Sequence, residues 1–461
     1  MLLLLLLTCS LAAPQDGASA SQEALERHVR TLASDDWKGR QAGTEGSRAA
    51  AAYLIAELEK AGLVGGAADG SFRQTIPVVL REHLSAPRVV FTTNAGEQVE
   101  ALYGVDFNLV LRGPAQSTAD LPILRVVEEE DLPQTAQPDQ AVFFRCNPVE
   151  RSEWLAMWGQ GKAEGWGLDL QLGRSEEQGV LRAPPPRVAL FDDDPVAACE
   201  VVTMRGPMRE NLIWKGYKSV QLFVEERRTE VDEANVIALL PGTDPELADE
   251  IVLLQAGYDH LGEAGIGARL DQEDRVRNGA NQASTLAALL ELARLRAAAG
   301  DNKRTLAFVF TTGTPKLRFG WKRFVEEPPF PLERVVAGFS VDGLGLRDIA
   351  QASAGTVMLT GSGRSDLAQG LTSRGLRFVQ DPYDDKLFDK RGPHRSLTRL
   401  GIPAHWVFSS PPDAKRNPWE DEAERIDFDH LTQATDQLAG ALRLLGDGTL
   451  TPTAKPGRRD G

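Results

Sequence analysis

The residues that could do chemistry stand where apolar runs end. Asp259 and His260 follow the run Ile251-Val-Leu-Leu-Gln-Ala256, Asp342 closes the run that starts at Val335, and His394 lies in Gly392-Pro-His-Arg-Ser-Leu397. Carboxylates and imidazoles of this kind bind metal ions or move protons. If Asp259, His260, Asp342 and His394 met within a few ångströms they would make a single-metal site. The plainer alternatives are a hydrogen-bonding loop histidine at 260 and a packed one at 394. Asp271, Glu273 and Asp274 form a short acidic loop that is either a cation site or simply solvated. Other positions at the ends of these runs offer no donor at all: Gly257 has no side chain, Thr314 is no base near neutral pH, and Pro315 cannot bind metal.

The elements that must position these residues are legible as apolar runs. Val236 to Leu240, Ile251 to Ala256, Thr305 to Thr311, Val335 to Asp342 and Ala404 to Ser409 read as strands. Helical stretches alternate with them: Thr285 to Ala298, Ser365 to Arg374 and Leu431 to Leu444. Alternation of this kind predicts a doubly wound α/β fold with a mostly parallel sheet, whose ligands bind at the carboxyl ends of the strands. Leu286, Leu289, Leu290 and Ala293 form the apolar stripe of one covering helix. Leu25, Val29 and Leu32 mark another, followed by glycine turns and a third helix from Ser47 to Ala61.

Ala256-Gly-Tyr-Asp-His-Leu-Gly262 resembles the segment Ala-His-Tyr-Asp-His-Leu-Gly of the bacterial leucyl aminopeptidase and aminopeptidase Y family of dizinc exopeptidases. Asn278-Gly-Ala-Asn-Gln-Ala-Ser-Thr285 is similar to that family's Asn-Gly-Ala-Asp-Asp-Asn-Ala-Ser-Gly, one residue shorter. Leu32 to Gly46 resembles its amino-terminal signature, and the likeness runs from Asn235 to about Leu445. The resemblance implies the zinc aminopeptidase fold, with an inserted β-rich domain like the protease-associated domain. It also implies two zinc ions that activate water, lowering its pKa to about 7.

Carried over position by position, the resemblance puts the first ligand at Gly257 and the bridging aspartate at Asn281, or at Gln282 if the gap is placed differently. The base falls at Thr314, further ligands at Pro315 and Asp342, and the last at Arg416. Of these six positions Asp342 alone matches. An amide bridges two cations poorly, and an arginine repels them. Asp259 takes the place of the carboxylate that would orient the absent histidine, which leaves it without that partner. Arg416 paired with Asp342 would neutralise a carboxylate stranded without metal.

The bulk properties set limits on the rest. The chain has 461 residues, enough for two or three domains, and its 42% hydrophobic and 25% charged content is that of an ordinary globular protein. A net charge of −15 argues against nucleic acid or an anionic membrane as partner. Met1-Leu-Leu-Leu-Leu-Leu-Leu7, followed by small residues to Ala13, reads as an export signal, with no positive charge before it; a lipid anchor at Cys9 is the alternative. Nothing later is long and apolar enough to span a bilayer. Cys146 and Cys199 could form one bridge in an oxidising compartment.

The expected organisation is a signal and leader over 1–20 and the first part of the peptidase-like domain over 21–104. The β-rich insertion follows over 105–230, the main α/β domain over 231–446, and a disordered tail over 447–461. The function that follows is an exported zinc-aminopeptidase relative with a degraded metal site, needing no cofactor and binding peptide or a protein partner. The alternative is an active, zinc-dependent aminopeptidase.

Overall fold

The computed structural model describes residues 19–110, 117–128, 131, 135–145, 166, 168–172, 187–190, 200–263, 276–314, 318–347, 353–382, 392–410 and 420–455. Outside them lie Cys9, Cys146, Cys199, Asp271, Glu273, Asp274, Pro315 and Arg416, so the bridge, the acidic loop and the Arg416–Asp342 pair concern residues that are not described. The chain divides into two compact units. One contains the described residues up to Ile76, Ala234–Leu261 and those from Arg277 onward; the other contains Pro77–Glu233 and Gly262–Val276.

The first unit is organised on strands β1 (Glu226–Leu240, from Ala234), β2 (Ile251–Gly257), β3 (Thr305–Thr311), β4 (Val335–Val341), β5 (Val357–Leu359), β6 (Phe378–Gln380) and β7 (Ala404–Phe408). They lie side by side in the order β6-β5-β7-β4-β2-β3-β1. β3, β2, β4 and β7 run parallel, while β1 and β5 join that group antiparallel. Every residue of β2 is buried, as expected for a parallel strand covered on both faces.

Helices cover those faces unequally. On one face Leu254, Phe308, Phe310 and Phe339 share a core with α1 (Gln22–Leu32), α2 (Glu45–Lys60), α3 (Ala280–Ala299) and the last helix, Phe428–Gly446. On the other face Leu253, Ala307 and Val309 meet Trp321 and Phe324 from the helix Phe319–Glu326 and Leu397 from the helix His394–Arg399. The architecture is the expected α/β fold with a mostly parallel sheet. The four stripe residues of α3 are buried, and so are Glu291, Leu292 and Leu295, because α3 sits between the sheet and two outer helices.

The polar composition predicts a disordered tail from 447, and as far as Lys455 the structure corrects this. Leu450 is buried, Ser365 bridges to Ala454, and the Lys455 N–H donates to the Arg364 carbonyl at 2.8 Å. Backbone hydrogen bonds hold what side chains cannot.

The second unit is β-rich. Its eight-stranded sheet includes Arg88–Thr92, Leu121–Val126, Ala141–Phe144, Leu168–Leu172 and Ser219–Phe223, and its own core is formed by residues such as Phe91, Phe107, Phe143 and Leu222. It starts at Pro77, where the sequence placed an insertion from 105. The strands between 77 and 104 pair within this unit, which their composition does not reveal.

Candidate functional site

Parallel neighbours end on the same edge, so β2 and β3 finish together, with Gly257 beside Thr311. Asp342 follows β4, Ser409 and Ser410 follow β7, and α3 starts nearby at Ala280. The candidate site is this carboxyl edge.

At Gly257 the room a side chain would need is already filled: a Cβ built there would land on the side chain of Thr314. Thr314 is held from two directions. Its N–H donates to Asp259 Oδ1 at 2.9 Å, and its hydroxyl donates to the Thr311 carbonyl at 3.1 Å. Asp259, only 2% exposed, therefore does have a partner, against the expectation of a carboxylate left without one. It anchors the turn after β3, a charge-assisted bond to a backbone donor.

Asn281 is fully buried in the first turn of α3 and uses both ends of its amide. Nδ2 donates to Ser410 Oγ at 3.3 Å, and Oδ1 accepts from the Gly345 N–H at 3.2 Å. A carboxylate could take the second bond but has no proton for the first. The Gly343 N–H donates to Thr285 Oγ1 at 2.8 Å, so α3 holds the whole turn after β4. Asp342 itself is half-buried, and its N–H donates to the Val407 carbonyl at 2.9 Å. Gln282 is half-buried, its Oε1 shut off from water with no hydrogen bond among the described residues.

His260 is a loop residue whose Nδ1 lies 3.0 Å from the Arg277 carbonyl. Its ring lies over Gly279, where φ is 64° and a Cβ would strike the imidazole; only glycine meets both conditions. His394, fully buried, begins its short helix and stacks on Trp406 at 6.5 Å between ring centroids. Among the described residues no three His, Cys, Asp or Glu side chains gather so as to hold a metal ion.

Sequence reasoning missed two residues that organise this edge. Gly279 cannot cap α3, so Asp421 does: its carbonyl accepts the Ala280 N–H at 2.9 Å and its carboxylate the Asn281 N–H at 2.8 Å. A carboxylate there also complements the helix dipole. No spacing rule links positions so far apart.

The other is Arg40, fully buried, its backbone in the left-handed region with φ 49° at a cost of about 1–3 kcal/mol. Its guanidinium donates to the carbonyls of Tyr258 (3.1 Å), Asn278 (2.8 Å), Gly279 (3.3 Å) and Leu32. Burial pushes its pKa down to about 10 against the pull of Asp421 and Asp259, so it stays cationic at neutral pH. The only hint in the sequence was an arginine closing a glycine turn.

Residues 235–442 match Peptidase family M28. The aminopeptidase from Aneurinibacillus sp. strain AM-1 superposes with a TM-score of 0.63 at 16% identity, over 95% of each chain. BSAP, a zinc aminopeptidase from Bacillus subtilis, gives 0.58 at 16%, covering 92% of this chain and 95% of its own. A peptidase M28 precursor from Shewanella amazonensis SB2B gives 0.52 at 17%, covering 95% and 99%. At such identities the likeness establishes the fold. No curated protein matches the chain. The M28 stretch runs from β1 to the last helix and contains every position discussed above apart from Arg40 and its acceptor Leu32. No helix among the described residues is long and apolar enough to cross a membrane.

Proposed function

We propose that this chain is an M28 relative in which the dizinc centre is not built, and that its carboxyl-edge cleft binds a peptide or a protein partner. One observation carries the reading: the Thr314 side chain fills the room at Gly257 where the first ligand would stand. The Asn281 amide, committed to Ser410 and Gly345, supports it. A neutral amide and a hydroxyl do not fit a pair of zinc ions, which need about three protein donors each. Export to the periplasm or the cell exterior belongs to the same reading, supported by the run Leu2 to Leu7, and the net charge of −15 sets it against nucleic acid as a partner.

A second reading, an active zinc-dependent aminopeptidase releasing amino-terminal residues, draws on Asp342 and on the match to M28. Metal analysis of the purified chain, with assays on aminoacyl anilides, separates the two. The expected result is no stoichiometric zinc and no chelator-sensitive hydrolysis. Tightly held zinc together with such hydrolysis would establish the second reading instead.

A further inference from the structure

Carboxylates on two helices hold the three residues before α1. Ser19 Oγ donates to Asp436 Oδ2 at 2.7 Å, the Ala20 N–H to Asp436 Oδ1 at 2.8 Å, and the Ser21 N–H to Glu291 Oε1 at 2.8 Å. The Glu291 side chain is 1% exposed and pairs with Arg294 at 2.6 Å. Burial pushes its carboxyl up, and hydrogen bonds from Arg294 and Ser21 more than reverse this, so it is ionised at neutral pH. His28, the other basic group facing it, is neutral there, since burial lowers its pKa to about 4.

The sequence at this place has a separate peculiarity. Ala18-Ser19-Ala20 sets small residues two apart, the pattern that precedes a signal-peptidase cut, after the polar spacer Pro14-Gln-Asp-Gly17 and the apolar run ending at Ala13. Ser21 is also the first residue α1 requires: its hydroxyl accepts from the Ala24 N–H at 3.2 Å, and its carbonyl accepts the Leu25 N–H at 2.9 Å.

We propose that the chain is cut between Ala20 and Ser21, and that the new α-ammonium of Ser21 is held by Glu291 and Asp436. A processing endopeptidase would supply the catalysis and water the atoms: hydroxide goes to the Ala20 carbonyl carbon and a proton to the Ser21 nitrogen as the C–N bond breaks, and the proton of the new Ala20 carboxyl group then passes to the amine, leaving a carboxylate and an ammonium. That nitrogen, already 2.8 Å from Glu291, gains a charge and further protons. Asp436 loses Ser19 and Ala20 but stays close, because consecutive backbone nitrogens are only roughly 3.5 Å apart. A positive charge at the start of a helix is unfavourable by itself; two carboxylates at that point offset it.

The test is to express the full chain in an exporting bacterial host and read its first residue by intact mass and amino-terminal sequencing. Ser21 is expected; a start at Pro14 or Ser19, or a lipidated Cys9, overturns the proposal. The second measurement is α-amine labelling by an amine-reactive ester at pH 7. The exported chain should react about tenfold more slowly than its Glu291→Gln variant, the effect of one pKa unit. Equal rates overturn the ammonium site, and Asp436→Asn gives the same readout if Glu291→Gln fails to fold.

Discussion

A buried arginine stands at each end of the parallel strands. At the amino edge Arg304, 2% exposed, donates to Glu250 Oε2 at 2.6 Å, to the carbonyls of Leu445 (2.8 Å) and Leu450 (3.1 Å), and to Thr451 Oγ1 at 2.6 Å. Its charge is met directly by a carboxylate that water also reaches. At the carboxyl edge the hydrogen bonds of Arg40 go to carbonyls, and the carboxylates that act on it from further away, Asp421 and Asp259, are each committed elsewhere. Asp421 caps α3, and Asp259 holds Thr314. The amino edge is an ion pair with attachments, whereas the carboxyl edge is a coupled network in which one change reaches several elements.

The largest effect should come from removing the two cations. Arg40→Ala is expected to cost about 3–5 kcal/mol, since it takes the guanidinium donor from the carbonyls of Leu32, Tyr258 and Asn278 and removes the buried cation that Asp421 and Asp259 act on. Arg304→Ala should cost less, because Glu250 can turn to water. Urea denaturation of both variants checks the order, and equal or inverted costs would break the contrast between the edges.

Acid should act next, and away from the carboxyl edge. His405, the second residue of β7, sits between Ser365 Oγ (2.8 Å) and the Thr360 carbonyl (3.0 Å), and burial lowers its pKa to about 4. Below the unfolded value of about 6.5 the unfolded chain takes up a proton that the folded chain refuses until about pH 4. Stability is therefore complete above pH 6.5 and falls as pH drops toward 4. The loss is roughly 2–3 kcal/mol for His405, and similar for His28, whose pKa is also about 4. Denaturation at pH 7 and pH 4.5 reads the difference; a flat profile would mean that these histidines are not held neutral.

Gly257→His tests the filled edge directly. Overpacking against Thr314 should cost about 1–3 kcal/mol, and Gly257→His with Thr314→Gly should recover at least half of it. If the single variant cost nothing, Thr314 would not be occupying that room.

The fold was legible where apolar runs are continuous. β2 and β3 were readable because buried parallel strands need little else. The start of α3 was not, since its cap is a glycine and its capping carboxylate comes from Asp421. The tail was misread because its anchors are backbone bonds and the carbonyls around Arg304, which composition does not register. At the site, the missing side chain at Gly257 could be read directly from the residue type. What replaced it could not: Thr314 meets Gly257 only once β2 and β3 are paired, and that same pairing gives Asp259 its new partner.

The smallest effect separates a relic from a working residue. Asp259 could persist only as a trace of a lost metal shell, and then Asp259→Asn and Asp259→Ala would both be neutral. The geometry argues otherwise, because Oδ1 accepts the Thr314 N–H at 2.9 Å and the charge stabilises Arg40. Asparagine keeps the acceptor and loses the charge, so Asp259→Asn should cost only about 1 kcal/mol. Alanine loses both and leaves the buried N–H unpaired, so it should cost roughly twice that. The gap between the two variants, read by denaturation, isolates the bond to Thr314. Placing Asp259→Asn in the Arg40→Ala background should reduce its cost, because the charge then has no cation left to serve and only its share in the bond to Thr314 remains.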